Sequence, residues 1–335
     1  MTGSVAVIIV TWNGLEHLQQ CLPALMAQEG VAFETLVVDN GSTDGTVPWL
    51  RETYPDLRLV VNVENVGFAE ANNQGIRATS TRYVVLLNND ATPAPGWLRA
   101  LVAAAEREDR VGMVASQICF AHDPGRLDSA GIEVDVLGIA WNRHLGGLVS
   151  EEPVHAVEVF GPSAAAALYR RAMLDEIGPF DARYFAYYED VELAWRARRA
   201  GWRCLYAPAA RVVHVHSATG ERIAGFKHML LGRNKWRTLL KHYPFRRLWN
   251  WFPLLLAVDG VTWAWPLISR LDTAPLRGRW AAWKDWHRWW SERGSLGLDD
   301  DTFCWLQPPD WQRLLRGWEG PLKTRPHAKG NSCII

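Results

Sequence analysis

The chain is short of the features that place many proteins at once. Its five cysteines (Cys21, Cys119, Cys204, Cys304, Cys333) are scattered, with no CxxC pair. An odd set without a framework argues against a disulfide scaffold and fits a reducing compartment, the cytoplasm. Net charge is absent as well, 36 Lys+Arg balancing 36 Asp+Glu, which by itself argues neither for nor against nucleic acid as a partner. The turn after the first apolar run is Trp12-Asn13-Gly14, neither G-x-G-x-x-G nor G-x-x-x-x-G-K-[ST]. Dinucleotide and P-loop sites are therefore disfavoured, and no G-x-S-x-G elbow marks a serine hydrolase. No basic stretch precedes Val5–Val10 and no small-residue cleavage site follows it, so a buried strand is expected there rather than a signal peptide. Cys333-Ile334-Ile335 falls one residue short of a prenylation box, and no lipid anchor is expected.

What is there is an alternation. Strand-like runs occupy Val5–Trp12, Glu34–Asp39, Leu57–Val63, Tyr83–Leu87 and Val111–Phe120. Between them, apolar residues recur at helical spacing, as in Leu15, Leu18, Leu22, Leu25 and Met26. Strands separated by helices imply right-handed crossovers and an α/β fold with a mostly parallel sheet. In such sheets function gathers beyond the carboxyl ends of the strands. Here four strand ends each carry polar residues: Thr11 to Gly14, Asp39 to Thr46, Asn62 to Gly67 and Asn88 to Asp90. A binding crevice is the economical reading, although each loop alone could be turn chemistry. Residues 121–160 are less periodic and predict a loop or hairpin insertion with no assigned role. A helix is predicted from near Glu189 to before Gly201.

The motifs then become specific. Val7 to Asn13, Val37 to Thr46, Asn65 to Gly75 and Leu86 to Asp90 are followed by Gly178-Pro179-Phe180-Asp181, Tyr188 to Leu193 and Val212-Val213-His214. This ordered set, over about two thirds of the chain, resembles glycosyltransferase family 2, in particular its rhamnosyltransferase-like branch. The resemblance implies a GT-A fold and transfer of a sugar from a nucleotide-diphosphate donor, dTDP-rhamnose or a UDP-sugar. The acceptor would be a glycan, free or lipid-linked, in cell-envelope polysaccharide synthesis. It also implies a divalent cofactor, Mg2+ or Mn2+, because the leaving diphosphate needs its charge neutralised.

Residue by residue, the resemblance assigns Asp90 and His214 to the metal, with Asn88 standing where the family usually has an Asp. The plainer alternatives are a helix N-cap for Asp90 and a core histidine for His214, with His216 as a competing ligand. Thr11, Trp12, Asn13, Asp39, Asn65, Gly67, Asn72, Asn88 and Asn89 fall at the nucleotide positions. An Asx-turn would equally explain Asp39. A turn and a helix face would explain Asn65, Gly67 and Asn72. Asp190 would be the base that takes the acceptor's proton and Glu189 its neighbour positioning acceptor or helix. Acids in a first helical turn are the ordinary alternative. Gly161-Pro162-Ser163 and Ala182 depart from the family pattern and leave the sugar open.

The catalytic domain is expected over 1–220 and a Trp-rich helical extension over 221–335. Residues 221–298 hold 14 Lys+Arg against 5 Asp+Glu, a net of +9. A basic, apolar segment suggests an anionic surface, and membrane suits it better than nucleic acid. The run Phe252–Ile268, interrupted by Pro253, Asp259, Gly260 and Pro266, is too short and broken to predict a spanning helix. Trp249, Trp251, Trp263 and Trp265 with Arg246, Arg247 and Arg270 suggest a segment in the membrane interface, within 233–290. Packing on the core or an oligomer contact are the alternatives. A processive synthase would need several spanning helices and a Gln-x-x-Arg-Trp motif, which is not found. A catalytically inactive glycan- or nucleotide-binding scaffold would be favoured by loss of Asp90 or Asp190, and both are present.

Overall fold

A computed structural model describes residues 4–215, 225–243, 245–295 and 306, without the side chains of 245–247, 270, 294 and 295. The chain runs β1 (Val5–Thr11), α1 (Leu15–Met26), β2 (Phe33–Asp39), α2 (Thr46–Thr53), β3 (Arg58–Val61), α3 (Phe68–Arg77) and β4 (Tyr83–Leu87). Next come β5 (Ala91–Pro93), α4 (Trp97–Ala105), β6 (Val111–Phe120), β7 (Asp123–Ser129), β8 (Ile132–Val134) and β9 (Ala140–Asn142). Then follow β10 (Val157–Val159), β11 (Ala166–Arg170), α5 (Arg171–Ile177), α6 (Glu189–Arg199) and β12 (Arg203–His214). Four helices complete the described part: α7 (Phe226–His242), α8 (Phe245–Arg270), α9 (Ala274–Lys284) and α10 (Trp286–Ser291).

The main sheet has the order β10-β12-β6-β11-β4-β1-β2-β3. Strands β3, β2, β1 and β4 are mutually parallel, as are β6 and β12. Antiparallel β11 joins the two parallel groups. Strand β1 is apolar throughout because it is covered on both faces. Its Val5, Val7 and Ile9 pack with α1 and α4 residues such as Leu22 and Leu98. Ile8 points the other way, into a core shared with α3, α6 and α7. That second core takes in Trp236, Leu239 and Tyr243 of α7, so apolar packing continues across the boundary expected near residue 220.

Two elements differ from the sequence reading. The run expected over Leu57–Val63 pairs only as Arg58–Val61, because β3 is an edge strand and the chain leaves the sheet at Asn62, whose N–H reaches the Asp39 carbonyl at 2.8 Å. The broken apolar run is a single 26-residue helix, α8, continuous through Pro253 and Pro266. Among the described residues it is the one helix long and apolar enough to cross a membrane, over Leu248–Ser269. The insertion at 121–160 forms β7 against β6 and the hairpin β8–β9.

Candidate active site

Beyond the carboxyl ends of β1, β2 and β4 lies a cleft of about 560 Å³, within the size range of small-ligand sites. Of the residues singled out from the sequence, Thr11, Trp12, Asn65, Asn88, Asn89, Asp90, Glu189, Asp190 and His214 line it. These come from five separate stretches of chain, which the sheet brings to one edge.

Asp90 and His214 meet because β5, one residue beyond the Asp90 turn, pairs antiparallel with the end of β12. His214 Nε2 lies 3.1 Å from Asp90 Oδ1, and its Nδ1 lies 2.7 Å from Asp128 Oδ2. The Asn88 amide is 3.4 Å from the same Nε2. Burial alone would pull the imidazole pKa down, but the Asp128 and Asp90 carboxylates push it up to about 9. Burial likewise works against Asp90 ionising, and His214 overrides it, holding the carboxyl below its ordinary range.

The donor set suits a divalent cation. Two ligand atoms about 2.1 Å from one ion and at right angles to each other stand about 3 Å apart, which is the Asp90–His214 separation. Asp128 accepts from the far ring nitrogen and would hold His214 in the ligating tautomer. Among the described residues no three His, Cys, Asp or Glu side chains are placed to hold one ion together. The remaining positions on an ion would thus fall to donor oxygens and water, the usual arrangement for a cation bound with phosphates. His216 lies outside the described residues.

On another wall, Glu189 and Asp190 open α6. Asp190 Oδ2 accepts from Ala164 N at 3.2 Å and Oδ1 from Val191 N at 2.8 Å. Burial raises the Asp190 pKa against these two donors. Glu189 is buried, its Oε2 has no partner among the described residues, and its carboxyl is pushed well up by burial and then by the Asp190 charge. Glu189, the deeper of the pair, is thus pushed up further than Asp190, whose two N–H donors favour its charged form.

The turn into α6 is strained. Phe185, Tyr187 and Tyr188 all have positive φ, at 66°, 66° and 68°. Bulky L residues avoid this region, and each instance costs of the order of 1–3 kcal/mol. Phe185 rests against Gly67, where a Cβ would come within 2.6 Å of its ring and 2.8 Å of its carbonyl oxygen. Gly67 itself sits at φ 90°.

Four expected nucleotide residues do not line the cleft. Gly67 instead makes room for Phe185, as above. Asn72 is buried and its amide donates to Phe68 O at 2.9 Å, inside α3. Asn13 Oδ1 accepts from Thr43 N at 2.7 Å and so ties the first two loops together. Asp39 Oδ2 closes an Asx-turn with Gly41 N and Ser42 N, while its buried Oδ1 has no partner among the described residues. The turn reading of Asp39 is thus observed, and one acceptor oxygen is left over. Asn89 lines the cleft yet spends its amide on Thr11 Oγ1 at 2.9 Å, bracing the β1 and β4 ends.

Sequence reasoning missed Asp128, Trp141 and Asn142, which all reach the cleft from the 121–160 insertion. Nothing in that aperiodic stretch marks Asp128 as a partner of a histidine 86 positions away. Asn40, within the polar span Asp39 to Thr46, was given no role of its own. Its side chain links the loops by accepting from Asn62 and donating to Asn65 Oδ1 and Gly67 O. Lys227, at the start of α7, also lines the cleft.

Comparison with known proteins bears on the family and the fold. An N-acetylglucosaminyl-diphospho-decaprenol L-rhamnosyltransferase of Mycobacterium tuberculosis is 32% identical over 241 residues, 64% of this chain and 76% of that protein. Glycosyltransferase AglE of Haloferax volcanii is 28% identical over 223 residues, 65% of this chain and 68% of that one. Among solved structures, GalNAc-T7 with UDP, GalNAc and Mn2+ superposes with a TM-score of 0.62 at 14% identity, over 86% of this chain and 56% of that chain. A Pyrobaculum calidifontis mannosyltransferase with GDP-Man and Mn2+ gives 0.51 at 20% identity, over 95% and 86%. At these identities the structures speak for the fold alone, which is the GT-A glycosyltransferase fold. The model of the Glycosyl transferase family 2 domain matches residues 6–178, and the chain belongs to glycosyl transferase family 2.

Proposed function

We propose that this glycosyltransferase inverts the anomeric centre of its donor sugar and acts on a lipid-linked glycan acceptor at the cytoplasmic face of a membrane, in cell-envelope polysaccharide synthesis. One observation carries the reading: a single cleft holds a half-buried, hydrogen-bonded carboxylate, Asp190, apart from an Asp90–His214 pair suited to a cation. Asp190 takes the proton of the acceptor hydroxyl, whose oxygen forms the new bond to the anomeric carbon. The bond from that carbon to the diphosphate breaks, and the nucleoside diphosphate leaves with the electron pair. A single displacement inverts the centre and needs no carboxylate nucleophile. Asp90 and His214 would hold Mg2+ or Mn2+, which when bound neutralises charge on the leaving diphosphate. Trp12, which lines the cleft, would stack on the nucleotide base.

The donor proposed first is dTDP-rhamnose, then a UDP-sugar, and the named activity of the mycobacterial relative supports both that choice and a lipid-diphosphate acceptor. Helix α8 supports the membrane. Leu248, Leu255 and Asp259 face the protein, whereas Trp249, Leu256, Trp265 and Ile268 are exposed. Asp259 is bonded to Lys235 and Arg279 of the neighbouring helices, which favours a helix lying in the interface over one that spans. The side chains of Arg246, Arg247 and Arg270 lie outside those described.

The test is nucleoside diphosphate release by purified protein across a panel of nucleotide sugars, with Mn2+, Mg2+ or chelator, and a polyprenyl-diphosphate sugar as acceptor. One donor should turn over only with metal. Asp190→Asn should bind that donor and transfer nothing. Full turnover by this variant, or no turnover with any donor and metal, refutes the reading. Co-sedimentation with anionic vesicles, weakened by salt, checks the membrane part.

A further inference from the structure

Asp190 depends on the turn before it, and that turn cannot hold itself. Between Tyr184 and Glu189 three aromatic residues sit at positive φ. Phe185 combines φ 66° with ψ −65°, the rare γ-turn geometry. A conformation of this kind persists only where its surroundings over-determine it.

The surroundings come from α7, beyond the stretch matched by the family model. Asn234 is fully buried. Its amide nitrogen lies 2.9 Å from Tyr184 O, 2.9 Å from Ala186 O and 2.7 Å from Tyr187 O. Its oxygen accepts from Arg233 Nε at 2.9 Å. A guanidinium only donates, so the Asn234 oxygen must face Arg233 and both amide hydrogens must face the turn. Arg233 Nη2 adds a bond to Tyr184 O at 2.7 Å, and Arg237 Nη1 one to Arg183 O at 2.6 Å. From the opposite side Ala69 N donates to Phe185 O at 3.0 Å.

We infer that Asn234, oriented by Arg233, is a positioning residue for the reaction: its amide gathers the carbonyls of the strained turn and thereby aims Asp190 into the cleft. This rests on the assignment of Asp190 as base. A buried side chain of the right size could instead serve packing alone, and the two roles separate by chemistry. Aspartate matches asparagine in volume but, ionised, can only accept, so it would meet three carbonyls with no donor.

The experiment compares Asn234→Asp, Asn234→Ala, Arg233→Lys and Asp190→Asn as full-length proteins, reading donor affinity by calorimetry, kcat, and amide exchange of residues 185–190. Misplacing a catalytic group by about 1 Å costs about 100-fold in rate. Both Asn234 variants should therefore lose about 100-fold in kcat, exchange faster at 185–190, and keep donor affinity within about twofold. Arg233→Lys, at a half-buried position that folds more readily, should show a smaller loss in the same direction. Parental kcat and exchange in Asn234→Asp or in Arg233→Lys overturns the positioning role. So does equal loss of donor affinity and kcat, the mark of general unfolding. Parental turnover in Asp190→Asn would instead refute the base assignment, and with it the inference that Asn234 aims a base.

Discussion

Helix α8 is the least expected element, and one residue decides how it is attached. Asp259 is almost wholly buried. Its Oδ1 receives Lys235 Nζ at 3.0 Å and Arg279 Nη2 at 2.8 Å, and its Oδ2 receives Arg279 Nε at 2.6 Å and Trp236 Nε1 at 2.8 Å. Burial opposes ionisation, but Lys235 and Arg279 bring the carboxyl pKa down to about 2. A carboxyl near 3.9 when unfolded and near 2 when folded is worth roughly 2–3 kcal/mol of stability above both values. That stability is present above the unfolded pKa and is lost as pH falls through about 4 towards 2.

Replacing Asp259 by alanine does more than remove this contribution, because Lys235 and Arg279 are left buried side by side. Stranding partners of a buried pair costs about 3–5 kcal/mol. For a domain of this size that is a fall in melting temperature of roughly 6–20 °C. Denaturant titration followed by tryptophan fluorescence suits the question, since Trp236 bonds Asp259 and packs against Trp283. Asp259→Asn, which keeps the shape, should lose less, and its stability should vary less than the parent's between pH 4 and 2. An unchanged midpoint in Asp259→Ala would refute the reasoning and detach α8 from α7 and α9.

Further outcomes follow from the cleft. Asp128→Asn should weaken the Mn2+ dependence of turnover about 10–100-fold without abolishing it, measured by titrating the metal into chelated enzyme. Burial raises the Asp190 pKa and the base must be ionised, so the acid limb of kcat should lie above the ordinary carboxylate range. Activity should fall as pH drops through it. Glu189→Gln should turn over near the parental rate at neutral pH, because burial and the Asp190 charge both favour the neutral carboxyl that glutamine mimics; a loss as deep as in Asp190→Asn would contradict that. Gly67→Ala must adopt φ 90° and strike Phe185. It should lose more than about 1 kcal/mol by thermal melt, with kcat reduced.

Much of this was legible in the linear chain. Local signals are short-range: β-branched runs make strands, helical spacing makes amphipathic faces, and the motifs placed Thr11, Asn88, Asp90, Asp190 and His214 in one crevice, where they are found. Only the tertiary structure could decide the rest, because it depends on contacts between residues far apart in sequence. Asp128 reaches His214 across 86 positions, and Asn234 reaches Tyr187 across 47. Gly67 reads as a nucleotide contact by motif and proves to be the space Phe185 needs. Asp259 looked like an interruption in an apolar run, and pairing with Lys235 and Arg279 makes it the anchor of a continuous helix. A residue's type declares what bonds it can make; the fold supplies the partner, and the partner settles its role.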